Sequence, residues 1–197
     1  MCPLTRFAAK FLRDKLGSAL IEFAVSLPVL LIMMVGIIEV TRYILFREKL
    51  ESAAVQMIDI VNQGVVTDRN SLNAIYSTAD ALLSPFTNSS PQVTISMVDH
   101  PQATGRSCVG WQYGAAPSRI GSKGATANLA GFNLPENDQV MVIEMQARYV
   151  PILDTGWTRE WFNSSSGGIY VKSYAHTRLT AFRVDPVTGQ FINNACA

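Results

Sequence analysis

The chain has 197 residues, 48% hydrophobic and 16% charged, with a formal net charge of +1. That is room for one modest domain plus an apolar segment, and a balance so near neutral argues against a broadly basic surface for nucleic acid or a strongly acidic one. The basic residues are unevenly placed: Arg6, Lys10, Arg13 and Lys15 crowd the first 17 positions, opposed only by Asp14.

The run GSALIEFAVSLPVLLIMMVGIIEV follows, from Gly17 to Val40. A cleaved secretory signal would need a short apolar core and a nearby small-residue site. Here the core from Ala24 to Ile38 is at the upper limit for a signal. The first small-residue site, Ser52 to Ala54, lies beyond Arg42, Arg47, Glu48 and Lys49. A signal anchor fits better, because about 20 helical residues cross the hydrocarbon core. The positive-inside rule leaves the N-terminus cytoplasmic and sends the body across, although Arg42, Arg47 and Lys49 beyond the far end reduce the contrast. Glu22 is the anomaly. A carboxylate in lipid costs about 2.5–3.5 kcal/mol on insertion scales and so marks a functional position by default. Pro28 and Gly36 interrupt the run and are candidate kink positions, in an ordinary anchor or in a helix bent for packing. Glu39 lies about 31 Å beyond Ser18 at helical rise, where the far interface belongs.

A basic leader, a glycine, and an apolar helix with glutamate at its fifth position followed by an aromatic resemble the processing site of type IV prepilins. Gly17, Ser18, Glu22 and Phe23 carry that pattern. More closely, GSALIEFAVSLPVLL resembles the start of TadE-like proteins, minor pseudopilins of tight-adherence (Tad/Flp) pilus systems, through Gly17, Glu22, Phe23 and Pro28. The resemblance implies that a membrane-embedded prepilin peptidase cuts between Gly17 and Ser18. Such a cut creates an ammonium group at Ser18, about 6 Å up the helix axis from Glu22. Glu22 then pairs with its own N-terminus or with a neighbour's, and pairing between subunits sets the register of packed helices. The alternative is a glutamate that reaches the cytoplasmic headgroups from about one turn inside the edge. The partners implied are the prepilin peptidase, other Tad/Flp pilins and pseudopilins, and the inner-membrane pilus assembly platform.

From Val40 to Gln63 there is neither proline nor glycine, and Leu50, Ala54, Met57 and Val61 recur at helical spacing. Gly64 supplies a stop. One helix of about 46 residues, roughly 69 Å, is expected, with its second half seating a domain. A second helix is expected from about Arg69 to Leu83, ended by Ser84-Pro85. Val93, Ile95 and Met97 alternate with Thr94 and Ser96 as a half-buried strand, and residues 105–113 form another. Residues 114–138 read as a long loop. The strand VMVIEMQARYV puts Met141, Ile143, Met145, Ala147 and Tyr149 on one face and Glu144, Gln146 and Arg148 on the other. A loop with Trp157 and Trp161 precedes GIYVKSYAHTRLTAF, with Ile169, Val171, Ala175 and Leu179 inward. Asp185-Pro186 to Gly189 then turns the chain to a short last segment. The block from Val140 to Thr180 also loosely resembles the C-terminal part of TadE-like proteins. The fold class is α+β, pilin-like: a long N-terminal helix packed against a small antiparallel sheet. The organisation is a leader over 1–17, a transmembrane helix over 18–40, its periplasmic continuation over 41–63 and a periplasmic domain over 64–197.

Cys2 would leave with the leader, which keeps Cys108 and Cys196 as an even pair. An oxidising periplasm permits a bridge between them, the alternative being two free buried thiols. No zinc spacing, H-E-x-x-H, G-x-S-x-G or P-loop pattern occurs. His100 and His176 read as surface histidines, and Tyr170, Lys172 and Tyr174 as a solvated strand face. Neither catalysis nor a cofactor, metal or nucleic-acid partner is expected. The functional expectation is an assembly subunit of the inner membrane with a periplasmic domain, or the pilus it builds. An uncleaved single-pass binding or sensing module is the alternative, and a membrane-tethered enzyme comes third.

Overall fold

The computed structural model describes residues 15–63, 69–86, 88–114, 116, 118–163, 167–177, 185, 188 and 196. The chain divides into two compact units, Met1–Arg42 and Tyr43–Ala197. The helix α1, Lys15–Gln63, runs through both as one continuous element of 49 residues, about 74 Å of rise. Pro28 lies inside it and removes the backbone donor that would reach the carbonyl of Ala24. The hydroxyls within the apolar stretch turn inward onto the helix: Ser26 Oγ donates to Phe23 O at 3.1 Å and Thr41 Oγ1 to Ile37 O at 2.8 Å.

The second unit is a sheet with a helix on one face and a folded loop on the other. Strands β1 (Gln92–Asp99), β2 (Cys108–Gly114), β3 (Gln139–Ala147) and β4 (Ile169–His176) pair antiparallel in the order β2-β1-β3-β4. The expected stripe of α1 seats this sheet: Leu50, Ala54, Met57 and Val61 are buried together with Phe46, Ala53 and Ile58. They share a core with Val93, Ile95 and Met97 of β1, Met141, Ile143, Met145 and Ala147 of β3, and Val171 of β4. Asn62 Nδ2 donates to His176 O at 3.0 Å and ties the end of α1 to the end of β4. Leu179 and Arg178, expected in the last strand, lie outside the described residues, as does most of the turn from Asp185 to Gly189.

The sheet departs from the expected half-buried pattern: every residue of β3 is buried. The segment from Ser118 to Asp138 has little regular structure, as its composition suggests, yet it folds back over the sheet. Ile120, Leu129 and Leu134 form a second core with Val98, Val109, Val140 and Val142. Backbone bonds to β2 hold it there. Val109 N–H donates to Ala125 O at 3.0 Å, Gly124 N–H to Val109 O at 2.8 Å, and Ala127 N–H to Ser107 O at 2.8 Å. A loop can be buried only when its backbone groups are satisfied in this way. The Tyr170–Lys172–Tyr174 face, expected to be solvated, is accordingly half-buried. Tyr174 stacks on Phe132 with ring centroids 5.3 Å apart, and its hydroxyl donates to Leu129 O at 3.0 Å.

A bulge explains how β2 serves both cores. Met97 pairs with Trp111 but Val98 pairs with Val109, so Gly110 is the extra residue. The insertion resets the alternation. Trp111 therefore enters the helix-side core and Val109 the loop-side core, although they are two residues apart.

Two helical expectations are corrected. The single helix from Arg69 to Leu83 is two, α2 (Arg69–Ser77) and α3 (Ala79–Leu82). At the joint, Ser77 Oγ donates to Ala74 O at 2.8 Å and Thr78 Oγ1 to Ile75 O at 2.7 Å, which competes with the backbone ladder. The loop carrying Trp157 and Trp161 is a short helix, α4 (Gly156–Phe162), opened by a capping box of Thr155 and Thr158. Cys108 and Cys196 are joined by a disulfide, with Cα atoms 5.2 Å apart.

Glu144, on the loop side of β3, is fully buried. Three donors converge on its carboxyl group: Ser118 Oγ at 2.6 Å, the Arg119 N–H at 2.6 Å, and the Tyr170 hydroxyl. Burial first, then the adjacent Glu144, holds the Tyr170 phenol far above its ordinary pKa, so it stays a donor. The Arg119 guanidinium lies 4.0 Å over the Tyr170 ring and closes the cluster. Substituting Glu144→Leu removes the shared acceptor and strands these donors, at a cost of about 3 kcal/mol. Thermal unfolding of the full chain in detergent should show a midpoint lower by on the order of 5–10 °C. A shift under about 2 °C would mean that the cluster contributes little.

Candidate functional site

The residues singled out from sequence occupy the first half of α1. Gly17 and Ser18 lie in helical backbone, so the bond between them sits in the first described turn of α1. Glu22 and Phe23 follow one turn later and both are exposed, Phe23 at 60%. Among the described residues Glu22 has no ion-pair partner. Gly36 is mid-helix, with open space where a Cβ would stand. Glu39, by contrast with Glu22, is buried.

What distinguishes this half of the helix is its surface. Leu20, Ile21, Val25, Val29, Leu30, Ile32 and Ile37 are all at least half exposed, and the most apolar stretch of α1 is wholly unburied. A helix that is apolar all round belongs to a protein core or a membrane. The lack of burial leaves the membrane, or neighbouring helices within it, as the medium that covers it. A removable signal sequence fits poorly, because the same helix continues without a break into Phe46, Leu50 and Met57 of the domain core. This is one candidate membrane span, consistent with a membrane-anchored protein.

The described residues outside α1 include two histidines and an open cleft. No group of three or more His, Cys, Asp or Glu suited to a metal ion occurs among them. His100 Nδ1 lies 2.7 Å from Leu134 O, and His176 Nδ1 lies 3.1 Å from Asp138 Oδ2. The imidazoles thus each meet a local partner. An open cleft of about 460 Å³ lies between the end of β3 and α4, lined by Asn88, Arg148, Arg159, Glu160 and Asn163. Two features escaped the sequence reading. One is the buried carboxyl of Glu144, whose alternation alone placed it outward. The other is the exposure of Trp157 and Trp161, for which the i,i+4 spacing was an available signal.

Residues 17–56 match the family model of TadE-like proteins. The match covers the apolar half of α1 and extends into the part that enters the domain core, and it agrees with the resemblance read from Gly17, Glu22, Phe23 and Pro28. No curated protein matches the chain, and no solved structure does.

If the exposed stretch lies in lipid, a charge at its middle will be costly. Leu31, 49% exposed, is a suitable position. Leu31→Arg should lower membrane insertion by roughly 2.5–3.5 kcal/mol on translocon scales. The variant should then appear in the carbonate-soluble fraction, where the parent protein remains in the pellet. Equal retention of both would argue against a span centred there.

Proposed function

We propose that this chain is a minor pilin-like (pseudopilin) subunit for assembly of a Tad/Flp adhesive pilus, cut by a prepilin peptidase after Gly17. One observation carries the proposal: an acid, Glu22, stands exposed one turn beyond the Gly17–Ser18 bond, on a stretch of helix whose apolar surface no described residue covers. The match of residues 17–56 to TadE-like proteins supports it, as does the basic leader Arg6, Lys10, Arg13 and Lys15.

The mechanism is one of assembly and not of catalysis. Scission converts the Ser18 amide into an ammonium group about 6 Å along the axis from the Glu22 carboxylate. In lipid neither charge is tolerated alone, so each favours the arrangement that joins them. Between neighbouring subunits the pair fixes the axial register of helices whose apolar surfaces otherwise slide freely, in the way a single buried polar residue fixes a coiled coil. The domain of residues 43–197 then stands in the periplasm, with the other Tad/Flp pilins and the inner-membrane assembly platform as partners. The second reading, an uncleaved anchored binding or sensing module, draws on the helical state of the Gly17–Ser18 bond. A peptidase must open that turn to reach the bond.

Mass spectrometry of protein made with and without the peptidase tests the first step. With the enzyme, the mature chain should begin at Ser18. An intact leader in its presence would leave only the uncleaved anchor. Glu22→Val tests the second step. Cleavage should be retained while co-purification with other pilins falls by about tenfold or more, as expected when one partner of a desolvated charge pair is removed. Unchanged co-assembly would remove the register role from Glu22.

A further inference from the structure

Beyond Gln63, every large apolar side chain left exposed among the described residues falls between Val150 and Trp161. They are Val150, Ile152, Leu153, Trp157 and Trp161, the two tryptophans being 67% and 77% exposed. The other exposed large apolar groups of the second unit, Ile44, Leu45, Val55 and Ile60, all lie on α1. The patch is therefore a local feature and not the ordinary scatter of surface hydrophobics.

It is also held firmly. The capping box of Thr155 and Thr158 opens α4, and the Arg159 guanidinium binds the Asp154 carboxylate, with Nε 2.8 Å from Oδ1. At the other end Asn163 clasps the backbone of Tyr149: its Oδ1 accepts from the Tyr149 N–H at 2.6 Å and its Nδ2 donates to Tyr149 O at 2.7 Å. Trp157 and Trp161, four residues apart on one face of α4, have ring centroids 6.2 Å apart. Large rigid aromatics presented in this way lose little entropy when covered.

Their position indicates what covers them. The inner side of α4 is Phe162, whose ring lies 5.1 Å from Tyr43, and Tyr149 lies 5.5 Å from the same tyrosine. Tyr43 opens the second unit and follows closely on Val40, the last residue of the apolar run. Trp161 is 5.9 Å from Phe162, so two ring contacts connect it to the point where the chain leaves its membrane segment. A headgroup layer is several Å deep, and tryptophan is the side chain that concentrates there, its ring apolar and its N–H hydrated.

We propose that α4 and the Val150–Leu153 segment form a second membrane contact, in which Trp157, Trp161 and Leu153 seat in the lipid headgroup region beside the point where α1 enters the bilayer. Asp154 and Arg159 neutralise each other and Glu160 adds a negative charge, so apolar area and not attraction to anionic lipid drives the contact. The bilayer thereby fixes the domain at two places instead of one. This inference rests on membrane anchorage by α1 and is independent of cleavage and of any pilus.

The test uses the full chain in vesicles of phosphatidylcholine, with or without phosphatidylglycerol, whose acyl chains carry bromine near the headgroup or near the terminal methyl. Co-flotation with the vesicles reports anchorage separately. The double variant Trp157→Phe, Trp161→Phe leaves Trp111, which is buried in the domain core, and subtraction gives the emission of the two exposed tryptophans. That emission should be blue-shifted and quenched about twofold more by shallow than by deep bromine, as expected for side chains in the headgroup belt. The quenching should be equal with and without anionic lipid. Trp111 emission should be unquenched in every case. Floating protein whose Trp157 and Trp161 emission stays red and open to aqueous acrylamide would overturn the proposal. So would shielding that appears only as protein density rises, which would assign the patch to a second copy of the chain.

Discussion

The structure depends on one unmet requirement: about 20 residues of α1 carry apolar side chains on every side, and no part of the described chain covers them. From Phe46 to Val61 the same helix buries a single face and leaves the other to water. Two solvents are thus written into one uninterrupted element. Between Val40 and Gln63 the helix has neither glycine nor proline, so no residue there interrupts it. The acid at Glu22 matters because it violates the rule that the surrounding residues obey.

The domain beyond that helix solves a different problem. A four-stranded antiparallel sheet with one helix on it ordinarily leaves its second face to water. Here the segment from Ser118 to Asp138 fills that role without helix or strand, through backbone bonds to β2 and three apolar plugs, Ile120, Leu129 and Leu134. Because this layer is irregular, it brings polar groups with it, and Glu144 is the acceptor that gathers them. The buried carboxyl compensates for covering a sheet with a loop.

The sequence displayed those parts of the fold where one face faces one medium. The stripe of Leu50, Ala54, Met57 and Val61 and the alternation of Met141, Ile143, Met145 and Ala147 were legible because their period is the period of burial. The second core was hidden because Val140 and Val142 fall on the face that alternation assigns to solvent, and a loop rich in Gly, Ala, Ser and Asn announces no layer. The bulge at Gly110 was hidden because one inserted residue reverses the facing of all that follow, and only the partner strand reveals the count. Helix α4 is too short for its periodicity to register. Of the candidate site, Glu22 was conspicuous from chemistry alone, since an acid in an apolar run needs no tertiary structure to stand out, whereas Gly17, Ser18 and Phe23 were marked by the resemblance to prepilins.

The disulfide has a consequence for the order in which the domain matures. Its two sulfurs are 88 residues apart in the chain, and β3, α4 and β4 all lie between them. If the domain emerges in chain order into an oxidising compartment, Cys108 is presented early, and that thiol must wait until the remaining strands have followed. During the interval it is open to capture by any other thiol, so β1 and β2 stay unstapled until the sheet is complete. The bond that locks the second strand is therefore one that only a nearly complete domain can form.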